Sequence, residues 1–216
     1  MNGECKVHSE PVLARGRLDE LGVKEDVLRE AVQAGLQHAF ACTLHDPPSL
    51  PGILAWGKTV RHLRDRLIPQ GWSGSNARNY ATVIHPKGNL AIAVAAGDSN
   101  TGRHPPMMPS TRAEKGPATR DAVVSNQLTF ADVSEHFPRP ENVPGMQTWL
   151  LLHYADELAE EIRLEFSLPA DMTADGFVVR WHERIILTPV PFTPQPLAAP
   201  EAESEEIDIK IERRAT

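Results

Sequence analysis

The segment Tyr80–Asp98, YATVIHPKGNLAIAVAAGD, constrains this chain more than any other. Tyr80, Thr82 and Ile84 alternate with Ala81, Val83 and His85, so both sides of the segment are partly apolar, as in a strand covered on two faces. Pro86-Lys87-Gly88-Asn89 follows. Proline presets φ and Gly88 accepts a positive one, which predicts a short hairpin turn. Leu90 to Ala96 then runs without a polar side chain, and β-branched Ile92 and Val94 favour strand over helix. The run delivers Asp98 to a strand end beside Gly97, a frequent place for a site and also for an ordinary turn.

A second hairpin is predicted further on. Thr148–Tyr154 and Ile162–Leu168 are strand-like, with Asp156 and Glu157 near the turn. In the second of these, Ile162, Leu164, Phe166 and Leu168 should face the core, while Arg163 and Glu165 should face solvent. Two helices precede the hairpins. Residues 24–41 carry an apolar side of Leu28, Ala31, Val32, Gly35, Leu36 and Ala39. After the break at Asp46-Pro47-Pro48, Ser49 and Pro51 open a second helix, about 50–68, with the stripe Ile53, Trp56, Val60, Leu63 and Leu67. The expectation is an α+β fold: two N-terminal helices packed on one face of a mainly antiparallel four-stranded sheet, a long central loop and a tethered C-terminal strand.

The boundaries follow from composition. Residues 1–17 read as a loose lead-in and 18–188 as one α+β domain. Within it, 99–146 is a long polar, proline-rich loop holding one short helix, Pro117–Leu128. Residues 177–187, containing VVRWHERIIL, read as a short helix or an edge strand, with helix preferred. Residues 189–206 form a proline-rich and then acidic linker, and 207–216 a terminal strand in which Ile207–Glu212 alternates, able to return to its own sheet or to add to a neighbour's. No apolar run approaches the ~20 residues of a spanning helix, and the N-terminus lacks the apolar core of a secretory signal. With two unpatterned cysteines, Cys5 and Cys42, these features predict a cytoplasmic protein with free thiols and no membrane contact.

Charge is unevenly spread. The net charge of −7 divides into −3 over residues 1–50, +7 over 51–120 and −11 over 121–216. A basic middle third points to an anionic partner, or else folds against the acidic last third. Two sets of residues carry it. On the second helix, Lys58, Arg61, His62 and Arg66 form a basic face, with Asp65 among them. Around the start of the helix at Pro117, Arg112, Lys115, Gly116, Thr119 and Arg120 would surround exposed backbone N–H groups, an arrangement suited to phosphate or carboxylate. Glu114 or Asp121 could instead satisfy those cations from within.

Other chemistries are less well supported. Gly97-Asp98-Ser99-Asn100-Thr101-Gly102 has the glycine spacing of a phosphate loop, but Arg103-His104-Pro105-Pro106 follow where lysine, a hydroxyl and a helix are needed. A metal-dependent nuclease or hydrolase would centre on Asp98 with Mg²⁺, drawing on Glu165 or on Asp208 and Lys210. The nine histidines show no zinc spacing, Cys42-x-x-His45 is half a motif, and there is no G-x-S-x-G elbow. Aromatic content is 6%, and Trp56, Trp72 and Tyr80 give thin support for base stacking, so contact with a nucleic-acid backbone is preferred over base reading. The leading expectation is a non-catalytic accessory or binding protein of a larger assembly. Its basic surface, within 58–120, would meet an anionic partner, nucleic acid in the simplest case. No resident cofactor or metal is expected. The alternatives are the Asp98 enzyme with Mg²⁺ and a purely structural protein–protein interaction subunit.

Overall fold

The computed structural model describes residues 4–130 and 145–192, and of residues 128–130 the backbone alone. Four α-helices are present among them: α1 (Pro11–Glu20), α2 (Glu25–Phe40), α3 (Leu50–Leu67) and α4 (Pro117–Phe130). The strands are β1 (Lys6–His8), β2 (Ser73–Ser75), β3 (Thr82–Ile84), β4 (Leu90–Ala96), β5 (Gln147–Asp156), β6 (Glu161–Met172), β7 (Val178–Ile186) and β8 (Val190–Pro191). All join one eight-stranded sheet in the order β1-β7-β6-β5-β4-β3-β2, with β8 on β6.

This corrects the expected fold. The sheet is mixed rather than a mainly antiparallel set of four strands, and the helices cover both of its faces. The two hairpins form, β3 with β4 and β5 with β6, but β4 and β5 lie parallel, from Leu90 beside Gln147 to Ala96 beside His153. Parallel neighbours need a crossover rather than a tight turn, and the stretch expected to be mostly loop supplies it through α4. β1 and β7 form a second parallel pair. Residues 178–186 are a strand and not a helix, because Val178 to Ile186 pair along β6 from Met172 to Glu165. Residues 1–17, expected to be loose, hold β1 and most of α1. The strand expected at Ile207–Glu212 and the linker from residue 193 onward lie outside the described residues.

Alternation along β4 and β5 sorts their side chains between two cores. Leu90, Ile92, Val94, Trp149 and Leu151 pack with the helices α1–α3. Ala93, Ala95, Leu150 and Leu152 pack with Val123 of α4 and Trp181 of β7. Burial on both faces explains why β4 reads as an unbroken apolar run. α2 and α3 meet closely at Gly35, where an added Cβ would lie 2.1 Å from Thr59 Oγ1 and 2.5 Å from the Ala55 carbonyl oxygen.

The apolar stripe of α3 outruns the core. Val60, Leu63 and Leu67 are buried, whereas Ile53 is 56% and Trp56 42% exposed. The C-terminal end of α3 leads into β2, and Trp72 meets His85 edge-on beside the β3–β4 turn. The first turns of α3 therefore extend toward the opposite end of the sheet, where β4 and β5 finish. No described helix is long and apolar enough to cross a membrane.

Candidate anion-binding site

The carboxyl ends of β4 and β5 organise the site. The Gly97 N–H donates to the His153 carbonyl at 2.9 Å, and the chain then turns at Asp98. The Asp98 carboxylate accepts the Asn100 N–H at 3.0 Å, and its carbonyl accepts the Thr101 N–H at 3.0 Å, so this side chain closes a local turn.

Residues 99–110 then cross the sheet on the α4 side, held by charged side chains expected to face solvent. Arg163 Nε donates to the Thr101 carbonyl at 3.1 Å, its Nη2 to the Ser99 carbonyl at 2.8 Å and its Nη1 to Asp156 at 2.8 Å. Glu165 is fully buried. It accepts from Gly102 N–H at 2.9 Å, from Ser167 Oγ at 2.8 Å, and from Arg184 at 2.6 and 3.2 Å. Arg184 also donates to the carbonyls of Met107 and Arg103. The expectation that Arg163 and Glu165 point outward is thus corrected. Alternation with apolar residues signals water only when the opposite face has no partner of its own, and here a loop brings carbonyls and an N–H to meet them.

The chain returns along the sheet end. Arg112 N–H donates to the Ala96 carbonyl at 2.8 Å, Thr111 N–H to Val178 at 3.1 Å and Lys115 N–H to Gly176 at 2.9 Å, after which α4 begins at Pro117. Arg112, Lys115, Gly116, Thr119 and Arg120 are therefore gathered at the start of α4, beside the carboxyl edge of the parallel pair. Open sheets with parallel strands commonly bind ligands at that edge, where helix N-termini converge.

The electrostatics of this corner are one-sided. Burial pushes the Lys115 ammonium below its usual value. Neither Lys115 nor Arg112 makes a side-chain hydrogen bond or ion pair among the described residues. Asp121 does not neutralise them, because it pairs with Arg78. Arg120 reaches the Ala174 carbonyl at 3.4 Å. Thr119 is buried, and the enclosed Tyr80 hydroxyl lies next to it. Burial pushes that phenol up to about 12, with the Thr119 hydroxyl acting weakly in the other direction. His153, 6% exposed, is held down to about 4, first by burial and then by the charges of Lys115 and Arg112. Sequence reading missed Tyr80 and His153 as members of this corner, since only the pairing of β3, β4 and β5 brings them to it.

The second basic set lies elsewhere. Lys58, Arg61, His62 and Arg66 sit on α3, across the sheet from α4. Arg61 pairs with Asp65 at 3.4 Å and Arg66 with Glu30 at 2.5 Å. The two basic sets therefore lie on opposite faces of the sheet.

No group of three or more His, Cys, Asp or Glu side chains suited to a metal ion occurs among the described residues. Glu165 has no acceptor position to spare, since four donors fill its two oxygens. Asp208 and Lys210 lie outside the described residues. An open depression of about 540 Å³ borders the crossing loop at Arg103, His104, Met107, Glu161 and Pro189. Comparison with known proteins finds no match to a family model, to a curated protein or to a solved structure.

Proposed function

We propose that this chain is a non-catalytic binding protein of a larger assembly. The start of α4 receives an anionic group of the partner, in the simplest case a phosphate of a nucleic-acid backbone. One observation supports this reading above the others. Lys115 is partly desolvated beside Arg112, and neither has an acidic counterpart among the described residues. Taking a cation out of water without a counter-ion is unfavourable, and an anion placed there would gain from both cations and from the α4 N-terminus.

The test is fluorescence anisotropy of labelled single- and double-stranded DNA and RNA across a salt series. Binding should weaken log-linearly with salt. The double variant R112Q/K115Q should reduce the salt slope by roughly 2, about one per phosphate contact, while Lys87→Gln, in the turn at the other end of β4, should leave it unchanged. Absence of binding at low salt overturns the reading and directs attention to a protein partner. Cleavage of the probe on addition of Mg²⁺ would replace it with the Asp98-centred nuclease.

A further inference from the structure

We infer that the partner is a single-stranded nucleic acid and that Trp56 is the platform on which one of its bases stacks. The inference rests on the phosphate reading of the α4 corner and adds the feature that reads bases.

Trp56 continues the buried stripe of α3, yet it is 42% exposed, with Ile53 at 56% beside it. One turn earlier on α3 an added Cβ at Gly52 would meet nothing within 4 Å, so the helix surface is open at that position as well. The other three tryptophans, Trp72, Trp149 and Trp181, are buried. α3 places Trp56 toward the carboxyl end of β4, the end at which Arg112, Lys115 and α4 gather on the other face. An unpaired cationic corner and an exposed indole at one sheet end are the two components of a single-strand site, one following the backbone and the other accepting a π-face. A duplex presents no free base face and does not bend sharply around such an edge. A single strand satisfies both requirements.

Charge complementarity favours this occupant over a protein helix. Arg112 and Lys115 have no acidic counterpart among the described residues, and a polyanion supplies one at every step. An apolar helix or a second copy would cover Ile53 and Trp56 and leave those cations as they are.

The experiment is tryptophan fluorescence of the full chain titrated with oligothymidylate, with an abasic oligonucleotide of the same length and with a duplex. Emission quenched by solutes reports Trp56, because the other indoles are buried. Oligothymidylate should quench it, and the abasic strand should bind with the same salt slope without quenching. Trp56→Ala should weaken oligothymidylate binding by about 5- to 150-fold, the range for one stacked base, and Trp56→Phe should restore most of it. The quench on the unaltered protein needs no variant, so the test survives a misfolded substitution. Equal salt-sensitive binding of both strands without quenching overturns the role of Trp56 and leaves the phosphate reading standing. No salt-sensitive binding by either strand overturns both. A dimer that dissociates on Trp56→Ala assigns the patch to a second copy and also overturns the inference.

Discussion

Arg184 and Glu165 meet at 2.6 Å with both side chains removed from solvent, and between them they tie the loop after β4 to the sheet. Pairs of this kind add little net stability as pairs, yet losing one partner strands the other charge. Glu165→Gln should therefore destabilise the protein by about 3–5 kcal/mol. It should also expose residues 99–110 to limited proteolysis before the rest of the chain unfolds. The double variant E165Q/R184M should cost less than the sum of its single substitutions. Urea denaturation of the four proteins measures the coupling.

The contact between α2 and α3 predicts opposite outcomes for two glycines. An added methyl at Gly35 would meet Thr59 Oγ1 and the Ala55 carbonyl oxygen. Gly35→Ala should then cost about 1–3 kcal/mol by overpacking. At Gly57 nothing lies within 4 Å of an added Cβ. Gly57→Ala should stabilise α3 by up to about 1 kcal/mol through helix propensity. Thermal melts of both variants against the parent separate the two effects.

Acid should weaken the fold through His153. Its folded value of about 4 lies below the ordinary 6.5, because burial and the cations of Lys115 and Arg112 disfavour the charged ring. The unfolded chain therefore binds more protons between these values, so stability is full above about pH 6.5 and falls as pH drops toward 4. The loss should be roughly 3 kcal/mol. His153→Leu should flatten the stability–pH curve over that window. An unchanged curve would contradict the assignment.

Asp98 should behave as a turn residue in stability measurements. Asp98→Asn keeps an oxygen for the Asn100 N–H and should stay within about 0.5 kcal/mol of the parent. Asp98→Ala removes that acceptor and should cost about 1 kcal/mol. Equilibrium denaturation checks both.

Local chemistry was the readable part of the sequence. Pro86 and Gly88 announced the first hairpin, and Gly88 does adopt a positive φ of 69°. The helices at 25–40 and 117–130 were visible from their patterns, as was the cluster from Arg112 to Arg120, whose members are neighbours in the chain. What escaped were relations over distance. The parallel setting of β4 and β5 depends on a crossover of some fifty residues, which leaves no periodic mark. β7 was obscured because Glu183 and Arg184 interrupt its apolar pattern, and each is buried against a charge from another element, Arg17 for Glu183 and Glu165 for Arg184. Trp56 was assigned to the core by its spacing, since periodicity gives a direction around a helix but not how far along it the core extends.

The pairing of β1 with β7 carries a consequence for how the chain is made. His8 and Glu183, bonded across these strands at 2.7 Å, are 175 residues apart. At a synthesis rate of about 5–20 residues per second, the ribosome needs on the order of ten to thirty seconds to travel from one to the other. For that interval the opening segment has no strand to join, and α1 lacks the carboxylate that Arg17 grips. A nascent chain shortened before β7 would be left with its first strand unpaired and with the side of α1 that packs on β7 open to any chaperone that reads apolar surface.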